Sequence, residues 1–233
     1  MKKVIFNIGL VAALFCAVQP SFGLTAQEGV DAYSKNDFPA ALVIFEKLAS
    51  EGDAFSEYNL GVFYRDGLGV ARDYKKAKEF FEKAAAQGLA IAQVNLGDLY
   101  EKGNGVIQDY SKAFSWFEKA ASQGVVEAQF NVGAMYNTGR GVKEDADRAF
   151  EWFEKAAKQG LAVAQFNVGF SYHYGRGVKQ DDEMAKIWVK KSCDAGFVKG
   201  CAVLASFSDD LKIGARATSS THIQTIRHKD SSK

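Results

Sequence analysis

Proline is nearly absent from this 233-residue chain: only Pro20 and Pro39 occur, so glycine must supply most of its punctuation. Histidine is almost as scarce. His222 and His228 lie near the C-terminus, which leaves His173 alone in the body, beside Tyr172 and Tyr174. A single imidazole there reads as a surface residue rather than a general base, and no histidine stands near a cysteine in sequence to suggest a metal site. The chain also contains no S-x-x-K, H-E-x-x-H, C-x-x-C or G-x-S-x-G. Those absences remove the usual signatures of penicillin-recognising enzymes, zinc proteases, dithiol oxidoreductases and serine hydrolases. No catalytic residue, metal or cofactor is implied. After residue 23 no apolar run approaches the ~20 residues that a membrane-spanning helix needs.

The first 23 residues differ from the rest. Lys2 and Lys3 precede a mostly apolar run from Val4 to Val18, followed by Pro20 and Ser21-Phe22-Gly23. Small residues three and one before Leu24 complete the layout of a cleaved secretory signal at residues 1–23. Lipid attachment at Cys16 fits less well, because the bulky Phe15 precedes it. Cleavage leaves 27 basic residues against 28 acidic ones, net −1. From Lys212 to Lys233 there are five basic residues against Asp230, so residues 212–233 carry +4 and read as a disordered basic tail. The body, 24–211, is left at −5. A mildly acidic body argues against nucleic acid as a partner, since phosphate binding needs a basic face.

Glycine, at 22 residues, recurs at one interval. Gly52, Gly88, Gly124, Gly160 and Gly196 are each 36 apart, and so are Gly61, Gly97, Gly133 and Gly169. The pairs Gly67/Gly69, Gly103/Gly105, Gly139/Gly141 and Gly175/Gly177 keep the same step. A fixed period of this length signals stacked repeats that bury their apolar faces against one another. Within one repeat, Ala92, Leu96, Leu99 and Tyr100 form a stripe on a helix over Leu89 to Glu101, and Ala113, Phe117, Ala120 and Ala121 form another over about Asp109 to Ser122. The glycine pair between them reverses the chain, Asp109 suits the start of the second helix, and Gly124 ends it. Gly97 inside a helix should cost about 0.8–1 kcal/mol relative to alanine, so its repetition implies close helix packing. Trp116, Trp152 and Trp188 read as packing between repeats, and pairs such as Glu118-Lys119 and Glu154-Lys155 as solvated helix faces.

The shared pattern A-x-x-N-L-G-x-x-Y-x-x-G-x-G-V-x-x-D-x-x-K-A-x-x-W-F-E-K-A-A-x-Q-G resembles the Sel1-like repeats, relatives of the tetratricopeptide repeats. It fits 92–124 almost fully and 128–160 and 164–196 well, while 52–88 has Ser56 in the alanine place and Phe80 in the tryptophan place. The resemblance implies an all-α, right-handed superhelical solenoid of 11 helices. Four 36-residue repeats would occupy 52–195, behind a tetratricopeptide-like helix pair at 24–51 in which Asn36-Asp37 replaces the long loop. A capping helix at 196–211 would follow. Cys193 and Cys201, spaced C-x7-C across the last turn, read as a disulfide in an exported chain. The spacing also resembles that of the cysteine-rich branch of Sel1-like proteins, here with one pair.

One polar series stands out. Asn59, Asn95, Asn131 and Asn167 share a register two residues before the helix glycine. An asparagine inside a helix is unfavourable, so its repetition needs a reason. One reason is a structural hydrogen bond. The other is implied by the resemblance: in tetratricopeptide domains an asparagine here faces the concave groove and bonds the backbone of a bound peptide. Flanking residues vary: Phe55, Ile91, Glu127 and Val163 before it, and Arg65, Glu101, Asn137 and His173 six after. The expectation is an exported, monomeric scaffold, periplasmic or secreted, that binds a protein or peptide and neither nucleic acid nor the membrane interior. Two rivals follow from the resemblance: a β-lactam-binding or β-lactam-hydrolysing protein, and a secreted factor acting on host or neighbouring cells.

Overall fold

The computed structural model describes residues 24–206, and every regular element among them is helical. The expected leader at 1–23, the last residues of the capping helix and the basic tail lie outside the described residues. The chain divides into two compact units, the first ending at Gln108 and the second beginning at Asp109.

The first unit contains α1 (Ala26–Ser34), α2 (Phe38–Ser50), α3 (Ala54–Asp66), α4 (Tyr74–Ala86) and α5 (Ala90–Lys102). Thr25 and Glu28 form a reciprocal capping box at the start of α1, and Asp37, Asp53 and Asp73 cap the next three helices through their carboxylates. The core gathers around Phe63, whose ring lies 5.8 Å from Phe45, 5.9 Å from Tyr33 and 6.1 Å from Phe38. Leu60, Phe81 and Leu96 are also fully buried. Each such side chain contributes roughly 1.5–3 kcal/mol through burial. A Cβ added at Gly61 would stand 2.5 Å from Phe81, so the helix glycine lets α3 and α4 meet.

The glycine pairs divide their work, where the sequence assigns both members to one chain reversal. The first member closes the helix: Gly67 ends α3 and Gly103 ends α5, both left-handed. The second member, Gly69 or Gly105, does not close it but lies in the bend beyond. There it runs against the first residue of an earlier helix. A Cβ on Gly69 would stand 3.0 Å from the Phe38 Cβ, and one on Gly105 2.5 Å from the Tyr74 Cβ. The second glycine is thus also a contact between successive helix pairs, which local sequence does not disclose.

The second unit contains α6 (Tyr110–Ser122), α7 (Val126–Thr138), α8 (Ala146–Lys158), α9 (Ala162–Tyr174), α10 (Asp182–Asp194) and α11 (198–206). Asp109, Asp145 and Asp181 cap the even-numbered helices from the same repeat register. The Asp109 carboxyl is held below its ordinary value, chiefly by the backbone N–H of Lys112. Gly139 ends α7 and Gly175 ends α9, both left-handed. Gly141 and Gly177 again lie past the helix end. Each needs glycine twice over: φ is +71° and +69°, and a Cβ would strike the carbonyl of Tyr110 or of Ala146. The core is built from Phe117, Val132, Phe153 and Val168 with a run of buried alanines. A Cβ on Gly133 would lie 2.8 Å from Phe153, which repeats the close approach made by Gly61.

The three tryptophans are not equally enclosed: Trp188 is buried. Trp116 and Trp152 are only half-buried, and the fully packed aromatic is the next residue, Phe117 or Phe153. Lys119, Lys155 and Lys191 lie over the rings of Trp116, Trp152 and Trp188 at 4.0, 3.8 and 4.3 Å. Lys119 and Lys155, the lysines of the Glu118-Lys119 and Glu154-Lys155 pairs, are therefore not simply solvated. Each covers the face of the indole three residues earlier, as Lys191 does although no glutamate precedes it. Cys193, near the end of α10, is disulfide-bonded to Cys201 in α11, with their Cα atoms 4.5 Å apart.

Candidate functional site

The asparagine register splits between the two units. In the first, both asparagines are buried and turned onto their own helices. Asn59 donates to the Phe55 carbonyl at 2.8 Å, and Asn95 donates to the Ile91 carbonyl at 2.8 Å. The Asn95 oxygen also accepts from Arg65. Arg65 in turn forms a two-pronged contact with Asp66. Burial opposes the Arg65 charge, but Asp66 outweighs it, and the guanidinium pKa sits above its ordinary value. Burial pushes the neighbouring Tyr58 phenol up. This amide is locked into a network.

In the second unit, Asn131 and Asn167 are half-buried and make no side-chain hydrogen bond among the described residues. Asn167 lines a hollow of about 260 Å³ together with Asn137 of α7, Phe166, Phe170 and Ser171 of α9, and Arg176 from the loop that follows. A second hollow of about 280 Å³ shares Phe166 and Phe170 and adds Tyr174, Val189 and Val203. Phe170 and Tyr174 are 43% and 59% exposed, with ring centroids 4.3 Å apart. Two large aromatic rings are thus held together at the surface.

Of the flanking residues singled out in the sequence, Asn137 lines the first hollow and His173 the second. His173 Nδ1 lies 2.7 Å from Asp182 Oδ1, with both side chains partly exposed. Asn59, Asn95 and Asn131 line neither of these two hollows. Phe170, Ser171 and Tyr174 were missed because they are departures from the repeat rather than part of it, and Arg176 because it shares its register with Arg140 and so looks like ordinary turn sequence. At the Phe170 register the other repeats carry Val62, Asp98 and Ala134. At the Tyr174 register they carry Asp66, Lys102 and Thr138. Ser171 replaces Phe63, Leu99 and Met135, all buried. One small residue in a core register, and two large rings where the other repeats carry small or polar ones, open the last repeat.

The repeated glutamine before the turn glycine also has a role that the sequence did not disclose. Gln87 Nε2 donates to the Gly52 carbonyl at 3.1 Å and to Glu57 at 2.8 Å. Gln159 Nε2 does the same to the Gly124 carbonyl at 3.1 Å and to Gln129 at 2.9 Å. Each ties its turn to the one before it in its own unit. The signal was the recurrence of Gln87, Gln123 and Gln159, each 35 positions after a turn glycine.

Helices of constant length, in which those closed by a left-handed glycine alternate with those opened by an aspartate cap, define a repeat protein of the helical solenoid class. The Sel1 repeat matches residues 54–89, 90–125, 126–161 and 162–197 in unbroken succession, and the chain belongs to that family. Sel1 repeat proteins are protein–protein interaction scaffolds. The chain is similar in structure to a Sel1 repeat protein from Oxalobacter formigenes, with a TM-score of 0.75 and 30% identity over 78% of this chain and 75% of that one. It is also similar to a protective antigen present in uropathogenic Escherichia coli strains, with a TM-score of 0.67 and 39% identity over 69% of this chain and 34% of that one. In sequence it is 32% identical over 80 residues to the β-lactamase HcpA of Helicobacter pylori, which covers 33% of this chain and 32% of that protein. The match thus spans about a third of the antigen and of the lactamase. No described helix is long and apolar enough to cross a membrane.

Proposed function

We propose that this chain is exported through a leader cleaved after Gly23 and binds an extended segment of a partner protein on the face of the second unit formed by α7 and α9. The observation that carries this reading is the contrast within the asparagine register. Asn95 has its amide on a helix carbonyl and its oxygen on Arg65, so it has little left for a ligand. Asn167 presents both a donor and an acceptor beside Asn137, Arg176 and two aromatic rings. An extended backbone offers a carbonyl and an N–H at each residue, and one carboxamide can meet both. Exposed aromatics beside unused amides are the composition expected at the centre of a protein-binding face.

The test is capture of partners from a periplasmic fraction by the full chain and by two double variants. Asn131→Ala/Asn167→Ala should lose capture at least tenfold while keeping an unchanged helical melt. Asn59→Ala/Asn95→Ala should retain capture, at a lower melting temperature. Equal capture by the first variant and the parent would sink the reading. Sequencing of the captured chain should begin at Leu24.

A further inference from the structure

The two hollows flanking Phe170 are unlike in chemistry. The one bounded by Tyr174, Val189 and Val203 is walled mainly by apolar groups, with His173 and Ser206 as its other polar lining. The one beside Ser171 is lined by Asn137, Asn167 and Arg176 as well as by aromatic rings, so hydrogen-bond donors converge there. Resting on the groove reading above, we infer that the bound segment seats an apolar side chain in the first hollow and an aspartate or glutamate carboxylate in the second, from residues two positions apart.

Size limits the occupant first. At about 280 and 260 Å³, both hollows fall below the ~300–1,000 Å³ of pockets that enclose whole small molecules. Each suits one side chain. Because they share Phe166 and Phe170 as a wall, one segment can fill both. Alternate side chains of an extended chain point the same way, which gives the two-residue spacing.

Charge decides the second side chain. Arg176 is the one ionised residue lining that hollow. Its only described ion pair is with Glu144, at 3.5 Å, and the two side chains are 45% and 62% exposed. A pair so wet and so long contributes little, so it does not hold the guanidinium against a closer anion. An incoming carboxylate can accept from the planar fork and from the amides of Asn137 and Asn167, which makes charge-assisted bonds that a lysine or an apolar side chain cannot make.

The experiment selects random heptapeptides displayed on phage against the full chain. It then titrates a fluorescein-labelled heptapeptide carrying one Phe and one Asp two positions apart on a Gly/Ser background. The expected consensus is an apolar residue paired with an acid at that spacing. Ser171→Met restores the kind of side chain that Met135 provides in the previous repeat, so it should fold. It should also fill the second hollow and weaken the labelled peptide at least tenfold. Arg176→Glu should reverse the preference, so that a Lys version binds at least tenfold better than the Asp version.

A consensus lacking acids, or unchanged affinity in Ser171→Met, overturns the proposal. So does tightest binding by a peptide copied from this chain's own residues 207–213, which would make the occupant intramolecular. If Asn167→Ala weakens Asp and Lys peptides equally while the Ser171 and Arg176 variants do nothing, the groove reading survives and the two-hollow chemistry falls. If nothing is selected and the asparagine variants are silent, both fall.

Discussion

Gln165 is buried, and its Oε1 has no hydrogen-bond partner among the described residues, although the same atom of Gln129 one repeat earlier accepts from Gln159. The cause is a single residue. At the register of Gln87, Gln123 and Gln159 the last repeat carries Ala195. Ala195 keeps the backbone of that position, φ −80° and ψ 8° against −84° and 4° at Gln159, so a longer side chain can be placed there without strain. Ala195→Gln should therefore supply the missing donor. An unsatisfied buried oxygen costs ~1–3 kcal/mol and a restored hydrogen bond contributes about 1 kcal/mol. The expected result is a gain of about 1 kcal/mol, or roughly 2–4 °C in a thermal melt of a chain this size. An unchanged or lower midpoint would show that the oxygen is satisfied in some other way. Sequence exposed the alanine as a break in the pattern, but not its meaning, because the glutamine bonds reach 30 and 35 residues back and appear only once the turns are stacked.

Helices were the most legible level. The segment expected from Leu89 to Glu101 is observed as Ala90–Lys102, and the one from about Asp109 to Ser122 as Tyr110–Ser122. Such agreement is possible because some ends have a local chemical cause: the left-handed Gly103 closes α5 and the Asp109 carboxylate opens α6, whereas the start of α5 at Leu89 has no side-chain cap. The stacking of lysine on tryptophan was not legible, since a Glu-Lys pair looks the same whether or not a ring lies three residues earlier. The last element rests on another local device. The disulfide joins α10 to α11 across eight residues, and closing so short a loop contributes ~2–3 kcal/mol in the chain-entropy model. Reduction should lower the melting midpoint and speed amide exchange in 193–206, leaving the first unit's amides unchanged. The Cys193→Ala/Cys201→Ala chain should no longer respond to reductant. Identical melts with and without reductant would remove the disulfide from the stability of this end.

At the scale of the whole molecule, the 36-residue period declared the architecture because self-similarity requires no knowledge of contacts. The candidate site hid for the same reason. Matching each repeat to a shared pattern discards Phe170, Ser171 and Tyr174, which matter by differing from their counterparts. Likeness to a β-lactamase over 33% of this chain raises hydrolysis as a rival to binding, and the second unit allows a physical test of it. His173 and Asp182 form an acid–base pair at 2.7 Å beside the apolar hollow, and Ser206 lines that same hollow. A serine nucleophile must give its proton to the base. The Ser206 hydroxyl instead donates to the Val203 carbonyl at 2.7 Å, so its one proton is committed to the backbone. Purified full chain should therefore turn over nitrocefin no faster than buffer, and His173→Ala should leave that rate unchanged. Turnover that persists through repurification and disappears in His173→Ala would overturn this expectation. It would assign the hollow to catalysis and move the scaffold role away from α9.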